Sequence, residues 1–325
     1  MIDRRALLGS LAVSATLPAF APNAFAKDKY PSRPVRLIVP FPPGGPADVM
    51  GRLIAQRLSM TLGQIVVENR PGGGGTLAGK QVATADPDGY TLLLGSSAPL
   101  AIGPALYPAA GYDPRTAFVP VALVSDTPYV MIGAVDAPFK NAKELLDYAR
   151  ANPGKVTFGV PNGAPPHMLA EMFRAKTGAD VVIVPYRGAS TLITDMLAGR
   201  IHAGFETTSV MFGHLHDNKI RGLAVVRETR IPQIKDVPTL IESGIQGVAG
   251  SSWIGVVAPA GTPRPIVSKL REEIVTGVRS PEIADKLKAL AAEPRLMSDQ
   301  QFAEFIASEY ERIGAIMRAS KVKAE

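Results

Sequence analysis

The feature that most restricts the fold of this chain is an alternation. Short apolar runs rich in β-branched residues are each followed by a stretch whose apolar residues recur at helical spacing. Strands that alternate with helices in this way predict parallel sheets covered by helices. Val35 to Val39 is the first strand, Val49, Leu53, Ile54 and Leu58 mark one face of the helix after it, and Ile65 to Val67 is the second strand. Thr91 to Leu94 and Val119 to Val124 extend the series. Tyr129 to Val135 reads as a strand that leaves this first sheet, which puts a crossing near Ser125 to Pro128.

A second series follows: a helix from Asn141 to Ala151, a strand at Val156 to Val160, a helix from Pro166 to Thr177 and a strand at Val181 to Val184. A helix from Ser190 to Ala198 and strands at Ala203 to Phe205 and Gly222 to Val226 complete it. Trp253 to Ala258 is one more buried strand, and the helices Pro265 to Val278, Pro281 to Ala291 and Asp299 to Ala319 need a sheet to cover, so the chain returns to the first series. The expected organisation is α/β with two lobes, residues 27–126 plus 250–325 forming the first and 127–249 the second.

The N-terminal residues carry an export signal. Arg4-Arg5 precedes the uncharged run Ala6 to Pro22, and Ala24-Phe25-Ala26 is a small-x-small cleavage site, so residues 1–26 read as a signal peptide. The run is shorter than the ~20 residues a membrane span needs, and Pro18 lies inside it. The arginine pair is compatible with a twin-arginine signal as well as with ordinary secretion. A periplasmic location follows. The chain has no cysteine, which excludes a lipoprotein anchor, a disulfide framework and thiolate chemistry. The uncharged stretches Thr91 to Tyr112 and Ser243 to Pro263 hold prolines or glycines and serines, and read as buried strands with loops. The net charge of +6 is spread among acids along the helices rather than gathered on one face. That scatter argues against a nucleic-acid partner and is compatible with anionic solutes.

Two loops carry the candidate chemistry. After the first strand comes Phe41-Pro42-Pro43-Gly44-Gly45-Pro46-Ala47-Asp48 at the start of a helix. Glycines there let main-chain amides approach a ligand, and a helix N-terminus offers unpaired N–H groups and partial positive charge. Asp48 is either part of that anion seat or, in an ordinary tight turn, a cap or first-turn acid. The strand ending at Val160 runs into Pro161-Asn162-Gly163-Ala164-Pro165-Pro166-His167 and another helix, the same arrangement. Two such loops at strand carboxyl ends would face each other across a cleft. His167 would donate to a carboxylate or cap its helix, and Arg187 would pair with a second carboxylate or sit at the rim.

These loops, together with Val67-Glu68-Asn69-Arg70-Pro71-Gly72-Gly73-Gly74-Gly75, Ala85-Asp86-Pro87-Asp88-Gly89-Tyr90, Val184-Pro185-Tyr186-Arg187-Gly188, Asp236-Val237-Pro238-Thr239 and Ala258-Pro259-Ala260-Gly261-Thr262-Pro263, resemble the Bug-type receptors of tripartite tricarboxylate transporters. The resemblance runs in order over nearly the whole mature chain. It implies the type II periplasmic-binding fold, with two parallel or mixed-sheet lobes, helices on both faces and a ligand cleft between them. It further implies a small mono-, di- or tricarboxylate held largely by main-chain amides and waters, and delivery to membrane permease subunits. By position, Phe41, Pro43, Gly44, Gly45, Ala47 and Asp48 would form one seat and Asn162, Gly163, Ala164 and His167 the other. Tyr186, Arg187, Gly188, Glu206, Thr207 and Thr208 would line the cleft, and Ser97 completes the candidate set. Pro46-Ala47 and Glu206 depart from the commoner family residues, and Pro46 removes an amide donor.

Other readings are weaker on specifics. Gly74 to Lys80 has the glycine and lysine spacing of a phosphate loop, but Gln81 replaces the magnesium-binding hydroxyl, so the run reads as a structural turn. His214 and His216, two apart on a helix, point away from each other. Trp253 reads as core. No G-x-S-x-G elbow, H-E-x-x-H helix or catalytic cysteine supports a hydrolase. No enzyme activity, cofactor or metal is expected, and the chain is expected to be a monomer. The runner-up is an exported adaptor whose liganded form docks on a sensor kinase.

Overall fold

A computed structural model describes residues 30–162, 164–289 and 292–320. The expected signal peptide and Gly163 lie outside the described residues. The chain opens with β1 (Val35–Val39), whose Leu37 and Val39 enter one apolar cluster while Ile38 enters another, the two-residue period of a strand covered on both faces. The helix α1 (Pro46–Leu62) follows, buried along Met50, Ile54, Leu58 and Leu62. Val49, expected on that face, is 41% exposed, because the four-residue row that meets the sheet begins one position later.

Next come β2 (Ile65–Asn69), α2 (Thr76–Ala83) and β3 (Thr91–Gly95), with β2 and β3 parallel to β1 on either side. A π-type turn at Ala98–Ile102 runs into α3 (Gly103–Leu106). The stretch Thr91 to Tyr112, expected as buried strand and loops, is therefore helical through residues 98–106. Pro99 and Pro104 sit in the opening turns of these pieces, where a missing N–H is tolerated. The strand β4 (Phe118–Ala134) is 17 residues long.

The remaining elements are α4 (Ala142–Ala151), β5 (Val156–Pro161), α5 (Pro165–Thr177), β6 (Val181–Tyr186), α6 (Ala189–Leu197), β7 (Ala203–Thr207), α7 (Thr208–His216) and β8 (Ile220–Val225). Then follow β9 (Ser251–Pro259), α8 (Arg264–Val278), α9 (Pro281–Ala289), β10 (Glu293–Pro294) and α10 (Asp299–Ser320). Asn141 opens α4 as a cap, its side chain accepting from the Glu144 amide at 2.9 Å.

The strand order is β2-β1-β3-β9-β4-β7-β5-β6, with β10 and β8 also pairing β4. Residues 118–128 of β4 pair antiparallel with β9, and residues 129–134 pair with β7 and β8. The two strands expected at Val119 to Val124 and Tyr129 to Val135 are thus one, passing from the first half of the sheet into the second. Register shifts between Pro120 and Ala122 and between Leu123 and Ser125 bend it. Pro128 sits where the partner changes from β9 to β7 and β8, so its missing N–H interrupts no continuous ladder.

Each half is covered on both faces. In the first, α1, α8 and α9 pack on one side through Met50, Ile54, Leu270, Ile274 and Leu287, and α2 and α10 on the other through Ala78, Val82, Phe302 and Ile306. In the second, α4 and α5 cover one side through Leu145 and Phe173, and α6 and α7 the other through Leu192 and Met211. Trp253 is fully buried among Val257, Phe302 and Phe305, the core position read from sequence. Farther along α10, Ile313 and Met317 pack on Met168 of α5 as well as on Ala101 and Ile102, so this helix touches both halves. Among the described residues no helix is long and apolar enough to cross a membrane.

Candidate functional site

The loops after β1, β3, β5 and β7 leave the carboxyl ends of parallel strands and converge on a cavity of about 500 Å³ between the two halves. The first half contributes Phe41, Pro42, Pro43, Gly45 and Ala47 from the loop into α1, Met50 behind them, and Ser96, Ser97 and Ala98 after β3. Strands β4 and β9 contribute Ser125, Thr127 and Tyr129 and Ser252 and Ile254, respectively. The second half contributes Pro161, Ala164, Pro165 and Pro166 after β5 and Glu206, Thr207 and Ser209 after β7, with Ala292 at the edge.

The start of α1 is built to leave amides unpaired. Gly45 is the N-cap in extended conformation, Pro46 lies in the first turn, and the Val49 N–H makes the first helical bond, to the Gly45 carbonyl at 3.0 Å. The N–H groups of Ala47 and Asp48 therefore precede any intrahelical partner and carry the positive end of the helix dipole. Asp48 is 3% exposed, and its carboxylate shapes this loop. Oδ2 accepts from the Gly44 amide at 2.9 Å and Arg52 Nε at 3.0 Å, and Oδ1 accepts from Asn69 Nδ2 at 2.8 Å. Asn69 Nδ2 also donates to the Phe41 carbonyl at 3.0 Å, tying the loop to the end of β2. The Arg52 bond, opposed by burial and helped by Gly44 and Asn69, brings the Asp48 carboxyl down to about 2. Asp48 is a first-turn acid of α1 and not its N-cap, and its side chain is engaged within the loop. Its side chain and the Gly44 amide, both expected to meet ligand, are spent on each other. Gly44 has φ +85, a backbone conformation that favours glycine.

The second loop is a different object from the first, although their sequences promise the same one. Asn162 N–H donates to the Tyr186 carbonyl at 2.9 Å, Ala164 N–H to Pro161 at 3.2 Å, and His167 N–H to Ala164 at 2.9 Å. Pro165 and Pro166 have none to give. Among the described residues from 161 to 167, each main-chain N–H is absent or already bonded. The described part of this loop presents Pro161, Ala164, Pro165 and Pro166 to the cavity.

Several expected contacts lie outside the lining. His167 is buried, with Nε2 3.9 Å from Glu171 Oε1, and burial, aided by Arg174, holds its pKa below the ordinary histidine value. Tyr186 Oη donates to Asp195 Oδ2 at 2.8 Å, with its pKa raised to about 12 by burial first and that bond second. Arg187 is exposed and Gly188 caps α6. Thr208 is buried and donates to the Pro128 carbonyl at 3.3 Å. Asn162 is also outside the lining.

Glu206 and Thr207 do line the cavity, and among the described residues Glu206 is its one charged lining residue. It is 6% exposed, and Oε1 accepts from the Thr207 amide at 2.8 Å and Thr207 Oγ1 at 3.3 Å. Burial raises its pKa, and the two Thr207 bonds oppose that rise. The cavity is also lined by hydroxyl residues that sequence reasoning missed: Ser96, Ser125, Thr127, Tyr129, Ser209 and Ser252. The Ser96 Oγ is buried with no hydrogen-bond partner among the described residues. The signal was present, since Ser125, Thr127 and Tyr129 stand at two-residue spacing on one face of β4.

The cavity is thus lined by a helix start with unpaired amides, by hydroxyl and apolar side chains and by one buried carboxylate. A family model described as the tripartite tricarboxylate transporter family receptor matches residues 50–322. The chain is 36% identical over 299 residues to protein BugT of Bordetella pertussis (strain Tohama I), an alignment covering 91% of this chain and 92% of BugT. Among solved structures, an R. palustris protein with adipate is 33% identical, with a TM-score of 0.78 over 90% of this chain and 99% of that one. MatC from Rhodopseudomonas palustris with bound malate is 29% identical, with a TM-score of 0.75 over 88% and 99%.

Proposed function

Because the chain belongs to the tripartite tricarboxylate transporter receptor family, a family of periplasmic solute-binding receptors, we propose that it captures a small carboxylate and passes it to a membrane permease. The observation that carries this reading is the cavity between the halves, with the uncapped start of α1 on its wall. A carboxylate placed there accepts from the Ala47 and Asp48 amides without displacing any side chain from the helix dipole. Two charge-assisted bonds at about 1.5–3 kcal/mol each, with the lining hydroxyls and burial of the ligand's carbon chain, reach the ~8 kcal/mol of micromolar binding. The adipate and malate in the two related structures support the same ligand class.

Residues 27–126 with 250–325 form one closing lobe in this reading and 127–249 the other, hinged where β4 and β9 cross. Residues 1–26 direct export and are removed, which places the receptor in the periplasm beside its permease. The ligand leaves chemically unchanged.

The experiment is a thermal-shift and calorimetry panel of mono-, di- and tricarboxylates against phosphates and amines, on wild type and Gly45→Val. A carboxylate raises the melting temperature by mass action. The valine fits the extended Gly45 backbone, where an added Cβ meets nothing closer than 3.9 Å, and projects into the seat. It lowers affinity at least about tenfold while leaving stability within about 0.5 kcal/mol. Stabilisation by phosphates alone, or full affinity in the variant, refutes the assignment.

A further inference from the structure

Resting on the reading of this cavity as a carboxylate receptor site, we propose that its ligand carries a protonated amine at the end remote from the carboxylate, and that Glu206 is the side chain that recognises it. The two halves present opposite charge to whatever lies between them. On the first, the start of α1 offers main-chain donors and partial positive charge. On the second, Glu206 is 94% buried by its 6% exposure and lines the cavity at the end of β7. Among the described residues no lysine, arginine or histidine lines the cavity with it, and Arg187 and His167 lie outside.

Both bonds given to the carboxylate, from the Thr207 amide and Thr207 Oγ1, end on Oε1. A buried carboxylate satisfied on one oxygen and lacking a cation asks its ligand for hydrogen-bond donors and positive charge. The second carboxylate of a plain diacid brings the reverse: two negative groups with no cation between them, so that one must take up a proton. An ammonium group neutralises Glu206 and has donors to spare for the hydroxyls of Thr207, Ser209 and Tyr129. The ligand then lies with its own dipole antiparallel to that of the cavity, carboxylate on α1 and amine on β7.

The test compares straight-chain diacids with the ω-amino acids in which one carboxylate is replaced by ammonium: succinate with 3-aminopropanoate, glutarate with 4-aminobutanoate, adipate with 5-aminopentanoate. Calorimetry on the mature chain and on Glu206→Gln reads the ratio of affinities within each pair. The amino acid of the best-fitting pair binds wild type about 10- to 100-fold tighter than its diacid, the range that one charge-assisted bond supplies. Glu206→Gln brings the pair to within about threefold, since the amide has lost the charge but kept the volume. Diacids binding tighter than their amino counterparts in wild type overturn the proposal, whatever the variant does, and leave the carboxylate reading intact. A preference that survives in Glu206→Gln overturns it equally. Failure of every carboxylate, with or without an amine, overturns both readings.

Discussion

The loop at the start of α1 hangs on one side chain, and replacing it gives a quantitative test. In Asp48→Asn the volume is kept but one carboxylate oxygen becomes an NH2 group. Oδ2 receives bonds from Gly44 and Arg52 and Oδ1 from Asn69, so either orientation of the amide sets a donor against a donor. The carboxyl is held at about 2 against an ordinary 3.8, which is worth about 2.4 kcal/mol by linkage. Arg52, the largest contributor, has a side chain 54% exposed, and solvent screening reduces the figure to about 2 kcal/mol. A depressed carboxyl stabilises the fold fully above about pH 4 and loses that contribution as pH falls through the folded-state value, with about half remaining at pH 3. Urea unfolding at pH 7 should show the variant less stable by about 2–3 kcal/mol with an unchanged m value. The gap between wild type and variant should narrow by about 1 kcal/mol at pH 3. A gap under about 0.5 kcal/mol at pH 7, or one that does not change with pH, refutes the stapling role.

Three further outcomes follow from other parts of the molecule. Ala47→Pro removes one of the two seat amides at a helix position where α5 already carries a second proline, Pro166; carboxylate affinity drops about tenfold in calorimetry while circular dichroism is unchanged. Gly204→Ala places a Cβ 2.7 Å from the Gly159 carbonyl oxygen on the adjoining strand β5; a loss of about 2 kcal/mol or more in urea unfolding is expected, and a neutral result contradicts the packing of β5 on β7. The pKa of His167 is lowered chiefly by burial, so the unfolded chain takes up the proton first and stability declines as pH falls below about 6.5. His167→Gln flattens that slope between pH 7 and 5, and an unchanged slope assigns it to other groups.

The strands were legible because their signal is local. Val35 to Val39 was bounded by its apolar content alone, and the helices after β5, β6 and β9 began within a residue of the reading. The crossing at Ser125 to Pro128 was also legible, but not that one strand makes it. Proline argues against a strand interior when only neighbours are considered, whereas β4 changes partner at Pro128. Of the residues that line the cavity, those of the loop into α1 and the pair Glu206-Thr207 stand out in the sequence. The hydroxyls of Ser96, Ser209 and Ser252 do not, since each is an ordinary serine until distant strands bring it to the same cavity.

The two proline- and glycine-containing loops show where the division falls. Residue order alone determined the alternation of strands and helices, the absence of cysteine chemistry and a helix start with unpaired amides after β1, because each depends on near neighbours. Tertiary structure decided that the described amides of the similar loop after β5 are engaged, through the bond from Asn162 to Tyr186 on the neighbouring strand and the turn that engages Ala164 and His167. It also placed the Glu206 carboxylate against a cavity that no cationic side chain among the described residues lines. A hydrogen-bonding group is available to a ligand only if the rest of the fold has not already claimed it, and that claim is made by residues far apart in the chain.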